Sequence, residues 1–167
     1  GKVTEEEIKA IIKEGTEVGE VQEIEQDIVE RVFHIGDRKV SSLMTHRKSV
    51  DMLPLNADKT KIKELVVQDL HTVYPVYNEN YEDILGVVTL KNIFANIEND
   101  NFDFASIISD APYLMEQTTA YKALENFKKT GVHYALVSDE YGVFQGLITL
   151  NDILEALVGD ASEFYKD

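Results

Sequence analysis

An internal repeat constrains this sequence most, because two stretches that share one pattern must follow one backbone path. Residues 74–97 (YPVYNENYEDILGVVTLKNIFANI) align without gaps to residues 134–157 (YALVSDEYGVFQGLITLNDILEAL) at a constant offset of 60. Six of the 24 pairs are identical: Tyr74/Tyr134, Tyr81/Tyr141, Gly86/Gly146, Thr89/Thr149, Leu90/Leu150 and Ile93/Ile153. Others keep their character, as in Val88/Ile148, Glu79/Asp139, Asn92/Asp152 and Phe94/Leu154.

Each copy reads as the same run of elements. Ile62, Leu65 and Val66 at helical spacing predict a helix over 61–70, and Ala123, Leu124 and Phe127 predict its counterpart over 120–129, stopped by Gly131. Two β-rich runs follow in each copy, 74–77 with 84–89 and 134–138 with 144–149, joined by the polar turns NENYED and DEYG. Second helices are expected over 90–97 and 150–158, the latter closed by Gly159. The apolar runs 50–53 and 113–115 offer a third strand to each unit. The unit is therefore β-α-β-β-α. One such unit buries too little apolar surface to stand alone, so two should pack face to face.

The first 39 residues differ in kind. Thr4 and Glu7 suit a capping box, Gly15 and Gly19 interrupt, and Ile24, Ile28 and Val32 recur every fourth residue. The expected fold is α+β: two tandem β-α-β-β-α repeats packed as a pseudo-two-fold pair and preceded by acidic N-terminal helices. The boundaries follow as a helical lead-in over 1–39, repeats over 40–99 and 100–160, and a tail over 161–167.

Charge and composition narrow the function. Against 16 Lys plus Arg stand 31 Asp plus Glu, and a net charge of −15 repels nucleic acid. The absence of cysteine removes thiolate zinc sites, disulfides and cysteine nucleophiles. No run approaches the roughly 20 apolar residues of a membrane span, which predicts a soluble piece. A chain that opens on Gly reads as part of a larger protein.

The chemistry concentrates at GVVTLKN (86–92) and GLITLND (146–152). In each, a strand should end at the Thr and a helix begin there, with Thr89 or Thr149 as N-cap and Asn92 or Asp152 three residues on. Capping alone would suffice for either copy. The recurrence of the same junction beside a glycine that permits close approach adds a second reading, ligand contact at a helix start. His46, Arg47 and Lys48 form the one compact basic run, either a solvated surface or a phosphate contact. The four histidines, His34, His46, His71 and His133, lack metal-ligand spacing, so no metal site is expected. NENYED lacks the Gly and terminal Glu of a calcium loop, and Asp139 and Glu140 fall in an exposed turn. No catalytic constellation is present, and an enzyme is not expected.

The sequence resembles a CBS domain pair of the CorC/HlyC (CNNM-like) family of magnesium and cobalt transport-associated, hemolysin-like membrane proteins. The residues that carry the resemblance are VTEEEIKAII, GTEVGEVQEIEQDIVERVF, VSSLMTHR, YPVY and HYALVSDEYGVFQGLITLNDILEALVGDASEF. It implies a regulatory module on the cytoplasmic side of the cell membrane, attached to a transmembrane domain and forming a homodimer. It also implies a ligand, ATP or AMP, with Mg²⁺ carried by the nucleotide. The resemblance assigns nucleotide binding to Thr149 and Asp152 together with Thr45, Val50, His71 and Thr72, and to Arg47 if the basic run meets phosphates. A second site would use Thr89, Asn92, Val132 and His133. Asn92 stands where the family has an acid, and a neutral amide is the weaker acceptor for sugar hydroxyls. The alternative reading is a dimerisation and protein-interaction module whose nucleotide sites have decayed.

Overall fold

The computed structural model describes residues 2–159; the tail at 161–167, and with it the DASEF end of the last stretch that carries the resemblance, lies outside the described residues. Helix α1 (Glu5–Glu17) starts at Thr4, whose hydroxyl accepts from the Glu7 N–H at 3.2 Å. The expected capping box is half made. Glu7 returns no bond among the described residues, and its carboxylate stays in solvent with Glu5 and Glu6 at the positive end of the helix. Gly15 does not interrupt α1. Its missing side chain instead lets the following chain fold back, since a Cβ there would lie 2.9 Å from Val21 Cγ2.

Helix α2 (Glu23–Ile35) is closed at its start by the Glu25 carboxylate, which accepts from the Gln22 N–H at 2.9 Å. Its inner face is not the expected stripe. Ile35 is buried and Ile28 half-buried, two turns apart, whereas Ile24 and Val32 are exposed. A step of four residues drifts around a 3.6-residue helix, and a step of seven holds one face.

The first repeat comprises β2 (Leu53–Pro54), α3 (Lys59–Gln68), β3 (Val73–Tyr77), β4 (Ile84–Thr89) and α4 (Leu90–Asn96). The second comprises β5 (Tyr113–Met115), α5 (Ala120–Thr130), β6 (Tyr134–Ser138), β7 (Phe144–Thr149) and α6 (Leu150–Val158), and β1 (Thr45–His46) lies ahead of both. The strands form two sheets, ordered β2-β3-β4 and β1-β7-β6-β5. In each, the third strand runs parallel to the first of the hairpin, with Leu53 opposite Val76 and Tyr113 opposite Leu136.

Two of the boundaries that move from their expected places have a local cause. The strand expected over 50–53 shrinks to Leu53–Pro54 at a sheet edge, where a residue without an N–H is tolerated. Helix α3 starts two residues early because Asp58 accepts from the Lys61 N–H at 2.8 Å and caps it.

The two sheets meet in a shared apolar cluster. Val73 and Val87 of the first pack with Leu136 and Phe144 of the second, and Val50, Met52 and Leu147 fill in around them. A separate cluster, including Leu53, Ile62, Tyr74, Val88, Ile93 and Phe104, serves the first repeat. Compactness groups the chain differently from repeat order. Residues 45–115 and 134–147, with most of both sheets and helices α3 and α4, form one unit. Residues 2–44, 116–133 and 148–159 form another, with α1, α2, α5 and α6. Within that unit α2 packs on α1 and α6, and α5 packs on α6. The Tyr121 hydroxyl donates to the Val32 carbonyl, one of the last acceptors of α2, and the Ala120 N–H donates to Arg38 O at 2.9 Å. Among the described residues no helix is long and apolar enough to cross a membrane.

Candidate functional site

The two strand-to-helix junctions have unequal geometry. At the second, the Thr149 hydroxyl accepts from the Asp152 N–H at 3.2 Å, and Asp152 Oδ2 accepts from the Thr149 N–H at 2.9 Å. The capping box is closed. The Leu150 N–H donates to His133 O at 2.9 Å, which fixes the start of α6 against the chain that leads into β6. Asp152 is half-buried, and desolvation pushes its carboxyl above the usual range against the lowering effect of the bonds from Thr149. Glu155 adds like charge in the same direction. Oδ1 has no protein donor among the described residues.

At the first junction the Asn92 N–H donates to Thr89 Oγ1 at 3.2 Å, and no bond returns from the Asn92 side chain among the described residues. Asn92 is exposed. The Leu90 N–H donates to Thr72 O at 2.9 Å. Backbone bonding thus sets Thr72 beside the Thr89–Asn92 junction and His133 beside Thr149–Asp152. Val132, half-buried, donates its N–H to Thr130 Oγ1 at 3.2 Å.

The remaining candidates lie in the unit with the sheets. Thr45 is exposed in β1 opposite Leu147, and His46 stands opposite Gly146. Arg47 is already engaged: Nη1 donates to Phe144 O at 3.4 Å and lies 3.5 Å from Glu82 Oε1. Val50 is half-buried in the cluster between the sheets. His71 Nε2 lies 2.6 Å from Asp51 Oδ2.

The glycine of the first junction has a structural role. A Cβ on Gly86 would lie 2.5 Å from Ser109 O, because Val87 and Ser109 exchange two backbone bonds of 2.9 Å across β4. The close approach read from the sequence is therefore made by the chain itself. Asp51 and Glu82 escaped the sequence reading. Their signal was charge alone, Asp51 adjoining Val50 and Glu82 lying in an acidic turn. A cavity of about 660 Å³ is lined by Asp58, Lys59, Glu98, Phe102 and Phe104 among others, and by none of the candidate residues. Two of its acids are committed, Asp58 to the α3 cap and Glu98 to Lys59 and Lys63.

The comparisons with known proteins fit this geometry. A model of the CBS domain family matches residues 104–159, the second copy. A CBS-domain structure from Clostridium difficile 630 is 33% identical with a TM-score of 0.70, covering 76% of this chain and 98% of that one. The chain belongs to the CBS domain family. Within the family it is a CorC/HlyC (CNNM-like) CBS pair. The CBS domain of a bacterial CNNM/CorC family Mg²⁺ transporter is 28% identical with a TM-score of 0.83, covering 95% of this chain and 98% of that one. Such a domain in complex with ATP is 26% identical with a TM-score of 0.75, over 81% and 98%. A UPF0053 protein of Synechocystis is 36% identical over 94% of this chain and 35% of its own length. The polyamine export protein of Salmonella typhimurium is 31% identical over 95% and 36%. The chain spans about a third of the length of these curated relatives.

Proposed function

We propose that this CBS pair is a regulatory module that binds ATP or AMP at the Thr149–Asp152 junction, on the cytoplasmic side of a divalent-cation (magnesium or cobalt) transport-associated membrane protein. Asp152 carries the reading. One of its oxygens closes the cap of α6 and the other is without a protein donor among the described residues, in surroundings where burial disfavours the charge. A half-buried carboxylate gains most from a ligand that brings hydroxyl donors, as a ribose does. The ATP complex of a CNNM/CorC CBS domain supports the same ligand class.

Electrostatics favours a nucleotide that arrives with its counter-ion. At a net charge of −15, free ATP is repelled, and Arg47 is held by Glu82. Mg²⁺ on the phosphates removes two charges before binding, so ATP affinity should rise with Mg²⁺ while AMP affinity barely responds. A second copy of the chain is the proposed partner. Ile93, Ile97 and Ile153 are buried within the monomer, and Phe94 and Leu154, 70% and 44% exposed, are left to meet that copy. The exposed Asn92, without a closed box, favours the interaction-module reading for the first junction only.

Calorimetric titration with ATP, ADP and AMP, each with Mg²⁺ or EDTA, tests the proposal. One site per chain and a lower ATP dissociation constant with Mg²⁺ are expected. No heat with any nucleotide overturns the reading, and equal ATP constants in the two buffers overturn the Mg²⁺ part.

A further inference from the structure

We propose that Met115 is a site of reversible oxidation, at which a peroxide transfers one oxygen to the thioether and the buried Ser138 hydroxyl then holds that oxygen. Ser138 is 6% exposed, and besides Tyr74 it carries the only buried hydroxyl among the described residues. The Tyr74 hydroxyl has two strong partners, accepting from the His71 N–H at 2.8 Å and donating to Asp69 O at 2.6 Å. Ser138 Oγ has one weak partner: it donates to Met115 Sδ at 4.0 Å, and a thioether is a poor acceptor. A hydroxyl taken out of water gives up strong bonds there, so this contact leaves it under-satisfied.

Sheet register brings the two side chains together. Strand β5 lies at the edge of its sheet beside β6, and Met115 stands directly opposite Ser138 in the parallel pair, so both project to one face. Met115 is 46% exposed, whereas Met44 and Met52 are half-buried. At the offset of 60 the first repeat has Leu55 and Asn78, a pair without a sulfur. In the reaction a sulfur lone pair attacks one oxygen of hydrogen peroxide and the O–O bond breaks. The proton on the transferred oxygen passes to the leaving hydroxide to give water, so the sulfur loses two electrons and the peroxide gains them. The new oxygen is a stronger acceptor than the sulfur and stands one bond length beyond it. Rotation of the flexible Met115 side chain brings it within reach of an O–H···O bond from Ser138. Methionine oxidation ordinarily disrupts apolar packing. Here it supplies a buried hydroxyl with the acceptor it lacks and ties β5 to β6.

Dilute hydrogen peroxide is the probe, with the modified residues read by peptide mass mapping. Met115 should gain one oxygen at least about threefold faster than Met44 or Met52. The melting temperature of the singly oxidised protein should rise by about 2 °C, the effect of one hydrogen bond in a chain of this size. Methionine sulfoxide reductases should return both the mass and the melting temperature to their starting values. The rise should vanish in Ser138→Ala and in Met115→Leu. Equal rates at the three methionines overturn Met115 as the site. A lower melting temperature after oxidation, or a rise that persists in Ser138→Ala, overturns the role of Ser138. If Ser138→Ala does not fold, a rise that persists in Met115→Leu overturns the proposal in its place.

Discussion

At the first junction, Thr89 and Asn92 share one hydrogen bond and the amide side chain stays in solvent; at the second, Thr149 and Asp152 exchange two, and the carboxylate is half-buried. The backbone is the same in both, because Gly-apolar-apolar-Thr-Leu at a fixed offset imposes the strand, the cap and the helix. One atom decides the difference. A carboxylate oxygen can accept from the N-cap N–H and still leave a second acceptor for a ligand. A repeat can therefore keep its architecture in both copies while concentrating its binding chemistry in one.

The sharpest way to break this comparison is to measure how nucleotide changes stability. Ligand at 100 times its dissociation constant stabilises the native state by about 2.7 kcal/mol, a melting shift of about 5–10 °C for a chain of this size. Asp152→Ala should lose that shift and Asn92→Ala should keep it, as read by thermal unfolding with and without AMP. The reverse outcome would move the site to the first junction.

Next in size is the glycine. Gly86→Ala drives a Cβ into the Ser109 carbonyl, and backbone cannot yield as a flexible side chain does. A loss of about 1–3 kcal/mol is expected, with nucleotide affinity at Thr149–Asp152 unchanged. Denaturant unfolding beside calorimetry checks both halves, and a fall in affinity alone would restore a ligand role for this position.

Much of this asymmetry was legible in the sequence. The offset of 60 identified the paired hairpins and helices, and Asn92 opposite Asp152 marked the unequal junctions. What escaped was set by contacts between residues far apart in sequence. Asp58 starts α3 early by a local cap, but Arg47 bonding Glu82, Asp51 bonding His71 and Ser109 crossing Gly86 depend on which loops the fold brings together. The every-fourth stripe of α2 misled for a related reason. Periodicity finds a helix but does not choose which of two adjacent faces a partner helix covers.

A smaller change should make the first junction resemble the second. Asn92→Asp replaces the amide oxygen with a charged carboxylate, the stronger acceptor for closing the capping box, and places a negative charge at the start of α4, with an expected gain of about 0.5 kcal/mol. Asp152→Ala should remove about 1 kcal/mol of baseline stability without ligand. Denaturation midpoints of the two variants against the unaltered chain test the pair. Equal and negligible effects would show that the box contributes nothing to either helix.

The smallest effect expected is one of pH, and the two repeats carry opposite signs. Burial raises the Asp152 carboxyl in the folded chain above its unfolded value, about 3.9 for an aspartate, so the folded state takes up the proton first as pH falls. The cost of burying that charge is fully present above the folded-state value and is relieved as pH falls through it. The stability of the unaltered protein relative to Asp152→Asn should therefore rise on acidification through that window. In the first repeat, hydrogen bonds from Lys59 and then Lys63 hold the Glu98 carboxyl at about 2, where the second repeat has the uncharged Thr119, Ala123 and Val158 at the equivalent positions. That contribution is present above the unfolded glutamate value and is lost as pH falls toward 2. Because Glu98 is exposed, added salt should weaken its effect and leave the Asp152 difference nearly unchanged. Urea unfolding of Asp152→Asn and Glu98→Gln between about pH 3 and 7, at low and high salt, reads both slopes. Slopes of the same sign would mean that Asp152 is not buried as the closed junction requires.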